Sequence, residues 1–88
     1  MKVLVLYRPN SEHGRLVEEF IRDYQRNGHN GRIEGLNVDT REGSATATLY
    51  DVVTYPTIMA TRDDGSVIRT WEGTMLPLQD EVAAYLHG

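Results

Sequence analysis

The chain contains no cysteine. That absence removes disulfide stapling, thiolate nucleophiles, dithiol redox chemistry and thiolate-bound metal in one step. Long apolar runs are missing as well. None approaches the ~18 residues that a membrane-spanning helix needs, and the Met1–Leu4 start is too short for a signal-peptide core and has no small-residue cleavage pattern. Positive charge is scarce: nine Lys and Arg stand against 13 acids, a formal net charge of −4. This opposes non-specific nucleic-acid binding, since neutralising phosphates takes a basic stripe. These absences lead to the expectation of a soluble, cytoplasmic protein with neither a nucleic-acid nor a membrane partner. The charge is uneven along the chain, with seven Lys or Arg against six acids over residues 1–41 and two against seven over 42–88. That asymmetry reflects a mixed-charge first helix more than any partner.

What is present suits one small domain spanning residues 1–88. Hydrophobic residues make up 40% and charged residues 25%, near the globular norm. A chain this short hides only roughly 60–65% of the surface its unfolded form exposes, so the core is modest. Residues 2–7 form a continuous, β-branched apolar run, the pattern of a strand buried on both faces. After the break at Arg8–Ser11, Leu16, Val17, Phe20, Ile21 and Tyr24 mark one helical stripe. Asn10 or Ser11 is placed to cap that helix, Glu12 to meet its dipole, and Asn27–Gly28 to stop it. Its outer face pairs Glu18 with Arg22 and Asp23 with Arg26.

Residues 32–39 predict a second strand, with Leu36 and Val38 in phase, Ile33 out of phase, and Gly35 marking a bulge or a close backbone approach. Residues 42–50 predict a weak helix, because Gly43 and the nearby threonines oppose it. Two β-rich runs, 57–62 and 67–71, flank a hairpin loop at Asp63–Ser66, and Gly73 ends the hairpin. Pro77 fits the first turn of a last helix with Leu78, Val82, Tyr85 and Leu86 as its stripe. The order is β-α-β-α-β-β-α, an α/β fold with a mixed four-stranded sheet and helices on both faces.

Three stretches carry a resemblance. Leu36–Asp39 with the following Gly43, Ser44 and Ala45 forms the first. Leu49–Thr57, which contains Tyr55-Pro56-Thr57, is the second. The Asp64-Gly65 hairpin, Gly73 and the closing amphipathic helix make the third. In this order the chain resembles the thioredoxin fold in its short, glutaredoxin-sized form, over essentially its whole length. Thioredoxin proper would carry a further N-terminal strand and helix that this chain lacks. The resemblance implies a cis Tyr55–Pro56 bond, and a Tyr55 whose backbone pairs with an extended peptide or glutathione by strand addition.

The departure from the family lies in the turn after the first strand. Where the family holds Cys-x-x-Cys, this chain holds Ser11-Glu12-His13-Gly14. A serine hydroxyl is far too basic to exchange with a disulfide, and Gly14 has nothing with which to resolve one. Dithiol oxidoreductase chemistry is therefore excluded. Ser11 reads either as a hydroxyl for a thiol or an anion, or as a helix cap. No Gly-x-Ser-x-Gly elbow surrounds it, so a Ser-His-Asp triad is set aside. His13 reads either as a donor to a ligand or as an incidental exposed side chain. His29 and His87 flank helix ends without ligand-spaced partners, so no metal is expected. Arg8 and Arg15 bracket the loop, either to hold a carboxylate or phosphate or as solvated side chains, one of them paired with Glu18 or Glu19. Met59 and Trp71 read as packing residues.

The expected function is a peptide- or protein-binding module using Arg8, Ser11, Glu12, His13, Gly14, Arg15, Tyr55, Pro56 and Thr57, with no catalytic residue and no cofactor. Two alternatives stand beside it. One is a glutathione- or thiol-ligand enzyme in which Ser11 or Tyr7 stabilises a thiolate. The other is a structural subunit that pairs through an exposed sheet edge or the hairpin face.

Overall fold

The chain's continuous apolar start sits at the centre of the molecule. A computed structural model describes residues 1–28, 32–73 and 75–86. It contains β1 (Lys2–Tyr7), α1 (Gly14–Arg26), β2 (Arg32–Asn37), α2 (Arg41–Leu49), β3 (Thr57–Thr61), β4 (Val67–Glu72) and α3 (Gln79–Ala84). The strands lie in the order β2-β1-β3-β4. β1 is parallel to β2 and antiparallel to β3, which is antiparallel to β4. Residues Val3–Tyr7 and all of β3 are buried because these two strands are covered on both faces. This is the condition under which a strand reads as an unbroken apolar run.

Two cores result. On one face Val3, Val5, Tyr7, Ile58 and Ala60 pack against Val17, Phe20 and Tyr24 of α1 and against Val82, Ala83 and Leu86 at α3. On the other, Leu4, Leu6 and Met59 meet Val38 and Ala47 of the α2 side. Each fully buried aliphatic or aromatic side chain contributes roughly 1.5–3 kcal/mol. Buried Thr57 and Thr61 donate their hydroxyls to the carbonyls of Thr54 and Lys2, so neither is an orphan in the core.

Several local expectations change. Leu16 and Leu78 are exposed rather than part of their helices' buried stripes. α3 begins at Gln79 with Leu78 as its N-cap residue, so Pro77 precedes the helix. Glu18 does not pair with Arg22; it accepts a hydrogen bond from the Tyr7 hydroxyl at 3.3 Å. The Arg26–Asp23 pair forms at 3.8 Å. Gly35 marks no bulge, since the β1–β2 register is unbroken. It marks a close approach: a Cβ there would lie 2.8 Å from Ile21 Cδ1. Trp71 stacks edge-on against Tyr85 and donates its indole N–H to Glu81, tying β4 to α3. The expectations for His29 and His87 lie outside the described residues.

Candidate functional site

The C-terminal ends of β1 and β2 and the segment entering β3 converge at one end of the sheet. β1 delivers Arg8, the turn after β2 delivers Asp39, and the stretch before β3 delivers Tyr55 and the cis Tyr55–Pro56 peptide bond. Arg8 connects all three. Its guanidinium lies over the Tyr55 ring at 5.4 Å, and its Nε approaches Asp39 at 3.6 Å. The two terminal guanidinium nitrogens have no partner among the described residues. At about half exposure on both sides, the Arg8–Asp39 pair orients more than it stabilises; the stacking adds about 0.5–1 kcal/mol.

The loop is organised around the Arg8 backbone. Its amide donates to His13 Nε2 at 3.3 Å, and its carbonyl accepts from the Ser11 hydroxyl at 2.6 Å and the Ser11 amide at 3.2 Å. Ser11 therefore does not cap α1. The N-cap residue is His13, which makes no side-chain cap hydrogen bond. Glu12 falls before the helix, which has no acid in its first turn. Glu12 and Arg15 are exposed, and among the described residues Arg15 forms no ion pair with Glu18 or Glu19.

Gly14 is more than a missing second cysteine. A Cβ there would stand 2.1 Å from the Pro9 carbonyl oxygen. Real Cβ atoms do not approach backbone so closely, so this loop shape admits no side chain at position 14. The chemical argument against a resolving thiol thus has a steric counterpart. Gly14, Pro56 and Thr57 are buried; they shape the site rather than offer it contacts. Tyr55 is half-buried, with its hydroxyl donating to the Val52 carbonyl. Among the described residues its backbone amide and carbonyl have no hydrogen-bond partner.

Two apolar residues near this end escaped sequence reasoning. Val53 is 86% exposed and Met75 is 91% exposed. Val53 sits two residues before Tyr55. The Gly73 amide donates to the Pro56 carbonyl at 2.9 Å, and Met75 lies two residues further along the sequence. The available signal was an apolar residue inside a turn-rich segment in each case. Asp39, the carboxylate beside Arg8, was read only as punctuation after a strand.

Tyr7 does not belong to this site. Its hydroxyl is turned to Glu18 of α1, and burial, then the Glu18 charge and the hydrogen bond to it, hold its pKa above the ordinary 10.0. A phenol so placed is a poor donor to a thiolate. Among the described residues no group of three or more His, Asp or Glu is arranged to hold a metal ion, and no helix is long and apolar enough to cross a membrane. A cavity of about 540 Å³ opens at the other end of the sheet, between Lys2, Leu4, Glu34, Tyr50 and Asp63. It shares no residue with the Arg8–Tyr55 cluster.

No family model matches the sequence, and no curated protein matches it. Among solved structures, thioredoxin 1 of the thermophilic eubacterium Thermosipho africanus TCF52B superposes with a TM-score of 0.71 at 18% identity, covering 97% of this chain and 89% of that one. At that identity the likeness speaks for the fold. Together with the β-α-β-α-β-β-α order and the absence of cysteine, it makes this chain a thioredoxin-like fold protein without the means for dithiol exchange.

Proposed function

We propose that the chain is a non-redox binding module that takes an extended peptide segment, free or within a partner protein, beside Tyr55. The observation that carries this reading is the unpartnered amide and carbonyl of Tyr55, an acceptor–donor pair suited to adding one short strand. Val53, two residues before Tyr55, and Met75, two residues after Gly73, are exposed and offer apolar contact. Side chains of an extended segment alternate in direction, so those on one side fall toward Arg8. Its free guanidinium nitrogens favour a carboxylate there. The test is selection from a peptide library followed by amide-shift mapping. Selected peptides are expected to be apolar with an acidic position, to perturb residues 8–13, 53–55 and 73, and to lose at least about tenfold in affinity with Val53→Asp or Met75→Asp. Selected peptides that bind elsewhere, or that tolerate both variants, would overturn the proposal.

The thiol-ligand reading has one point in its favour, the same Arg8 guanidinium, which suits a glutathione carboxylate. Against it, the Ser11 hydroxyl is committed to the Arg8 carbonyl and the Tyr7 phenol to Glu18, so neither is free to donate to sulfur. Glutathione titration is expected to leave residues 8–15 and 54–57 unshifted; saturable shifts there would restore this alternative.

A further inference from the structure

Both sheet edges are open, at β2 and at β4, and they differ. The pairing of β4 is irregular between Ala60 and Thr61, and Arg69 is folded over Trp71 and Tyr85. Bulges and covering side chains of this kind blunt an edge. β2 has neither. Its register with β1 is continuous from Lys2↔Arg32 to Tyr7↔Asn37.

The hydrogen-bond phase of β2 follows from one contact. The Val38 amide donates to the Tyr7 carbonyl at 3.1 Å, so Val38, Leu36, Glu34 and Arg32 address β1. Ile33, Gly35 and Asn37 address the open side, because alternate residues of a strand bond to opposite neighbours. The Asn37 carbonyl is already taken by the amide and hydroxyl of Thr40. Among the described residues the free edge groups are those of Ile33 and Gly35 and the Asn37 amide.

Two copies related by a twofold axis pair antiparallel, and three centres fall within the free stretch Ile33–Gly35. An axis at Glu34 sets Glu34 against its own copy, which repels. An axis at Gly35 has no side chain at its middle and sets Ile33 against the Asn37 carbonyl already in use. An axis at Ile33 pairs Ile33 with Ile33 and places Arg32 opposite Glu34 on both sides. Arg32 lacks such a partner within the chain: its cross-strand neighbour is Lys2, a like charge, and among the described residues it forms no ion pair. Glu34 already lies 3.6 Å from Lys2 and, half-exposed, is open to a second cation.

We propose that the chain associates as a weak twofold dimer, β2 pairing antiparallel with β2 of a second copy about Ile33. The occupant is a second copy because the edge is complementary to itself: Arg32 and Glu34 exchange partners across the axis. The proposal is independent of the peptide reading, since none of these residues borders Tyr55.

Sedimentation of the whole chain from about 10 µM to about 1 mM, the range in which small interfaces act, should show a concentration-dependent dimer that salt weakens. Arg32→Glu and Glu34→Arg are each expected to weaken it by about tenfold or more, since two attractive pairs become repulsive. An equimolar mixture of the two variants should associate again. The double variant Arg32→Glu/Glu34→Arg should recover the homodimer, because both cross-axis pairs become attractive again. A wild-type chain that stays monomeric to 1 mM overturns the proposal, as does a dimer indifferent to Glu34→Arg. Should a variant fail to fold, mixed-label NMR on the wild type decides: intermolecular contacts at Ile33 support the pairing, and their absence in a dimeric sample refutes it.

Discussion

Two turns in this molecule perform the same task and are built differently. Each leads from the C-terminal end of one of two paired parallel strands into a helix, and the last strand residues, Tyr7 and Asn37, are register partners. Each turn also presses a glycine onto the backbone it has just left. A Cβ on Gly14 would meet the Pro9 carbonyl oxygen at 2.1 Å, and one on Gly43 the Asn37 carbonyl oxygen at 1.9 Å. The helix starts then diverge. Thr40 is extended, with ψ 162°, and its hydroxyl accepts the Gly43 amide, while Glu42 adds an acid to the first turn. His13 has ψ −8°, a helical value at which an N-cap side chain does not reach forward. One turn satisfies its helix with its own side chains. The other turns its side chains back onto Arg8 and leaves the helix start uncapped. The self-satisfied turn is structural, and the uncapped one borders the candidate site.

The largest expected effects separate the two glycines. Gly43→Ala forces a methyl group against a carbonyl fixed at the end of β2 and already engaged by Thr40. A loss of about 3 kcal/mol is expected. Gly14→Ala forces the Pro9 backbone, in a connecting loop rather than at a strand end, to shift, and a loss of about 1–2 kcal/mol is expected. Urea denaturation of both variants checks the ranking. A larger loss at Gly14 would mean that the Pro9–His13 loop is the more rigid turn, and the comparison would invert.

Next come the hydroxyls. Thr40→Ala removes a working cap and should cost about 1 kcal/mol. Ser11→Ala removes only an exposed hydrogen bond to the Arg8 carbonyl and should stay within about 0.5 kcal/mol. Thermal denaturation of the pair measures this directly; equal losses would show that Ser11 supports α1 in some way its position does not reveal.

The same contrast explains what the sequence revealed. Unbroken apolar strands and the stripe from Val17 to Tyr24 announce themselves, because burial on both faces or one dictates composition. The order of elements followed from these, and the family resemblance implied that Ser11–Gly14 stands where Cys-x-x-Cys would. Gly43 read as a defect in a weak helix, yet a close backbone approach makes it necessary, and no local pattern announces a contact between residues 37 and 43. Ser11 read as a cap because residue type alone does not fix where a helix begins; the start two residues later turned it toward Arg8. Tyr55 was legible, whereas its stacking on Arg8, the Arg8–Asp39 contact and the exposure of Val53 and Met75 depend on three segments distant in sequence meeting at one end of a sheet.

The smallest effect concerns Tyr7, which the structure ties to α1 rather than to the site. Burial first, then the charge of Glu18 and the hydrogen bond to it, raise the Tyr7 pKa above 10.0; burial raises that of Tyr24. The unfolded chain loses these protons at lower pH than the folded one. Their contribution to stability is therefore complete below about pH 10 and is lost as pH rises through the folded values. The urea midpoint should be level between about pH 7 and about pH 9, then fall. Tyr7→Phe removes one of the two titrating groups, and Glu18→Gln removes the charge that opposes phenolate formation, so both should flatten the alkaline decline while Tyr24 preserves the remainder. A decline unchanged by either variant would mean that Tyr7 titrates as it does in the unfolded chain. Its hydroxyl would then be free of Glu18, and the argument against Tyr7 as a thiolate donor would lose its footing.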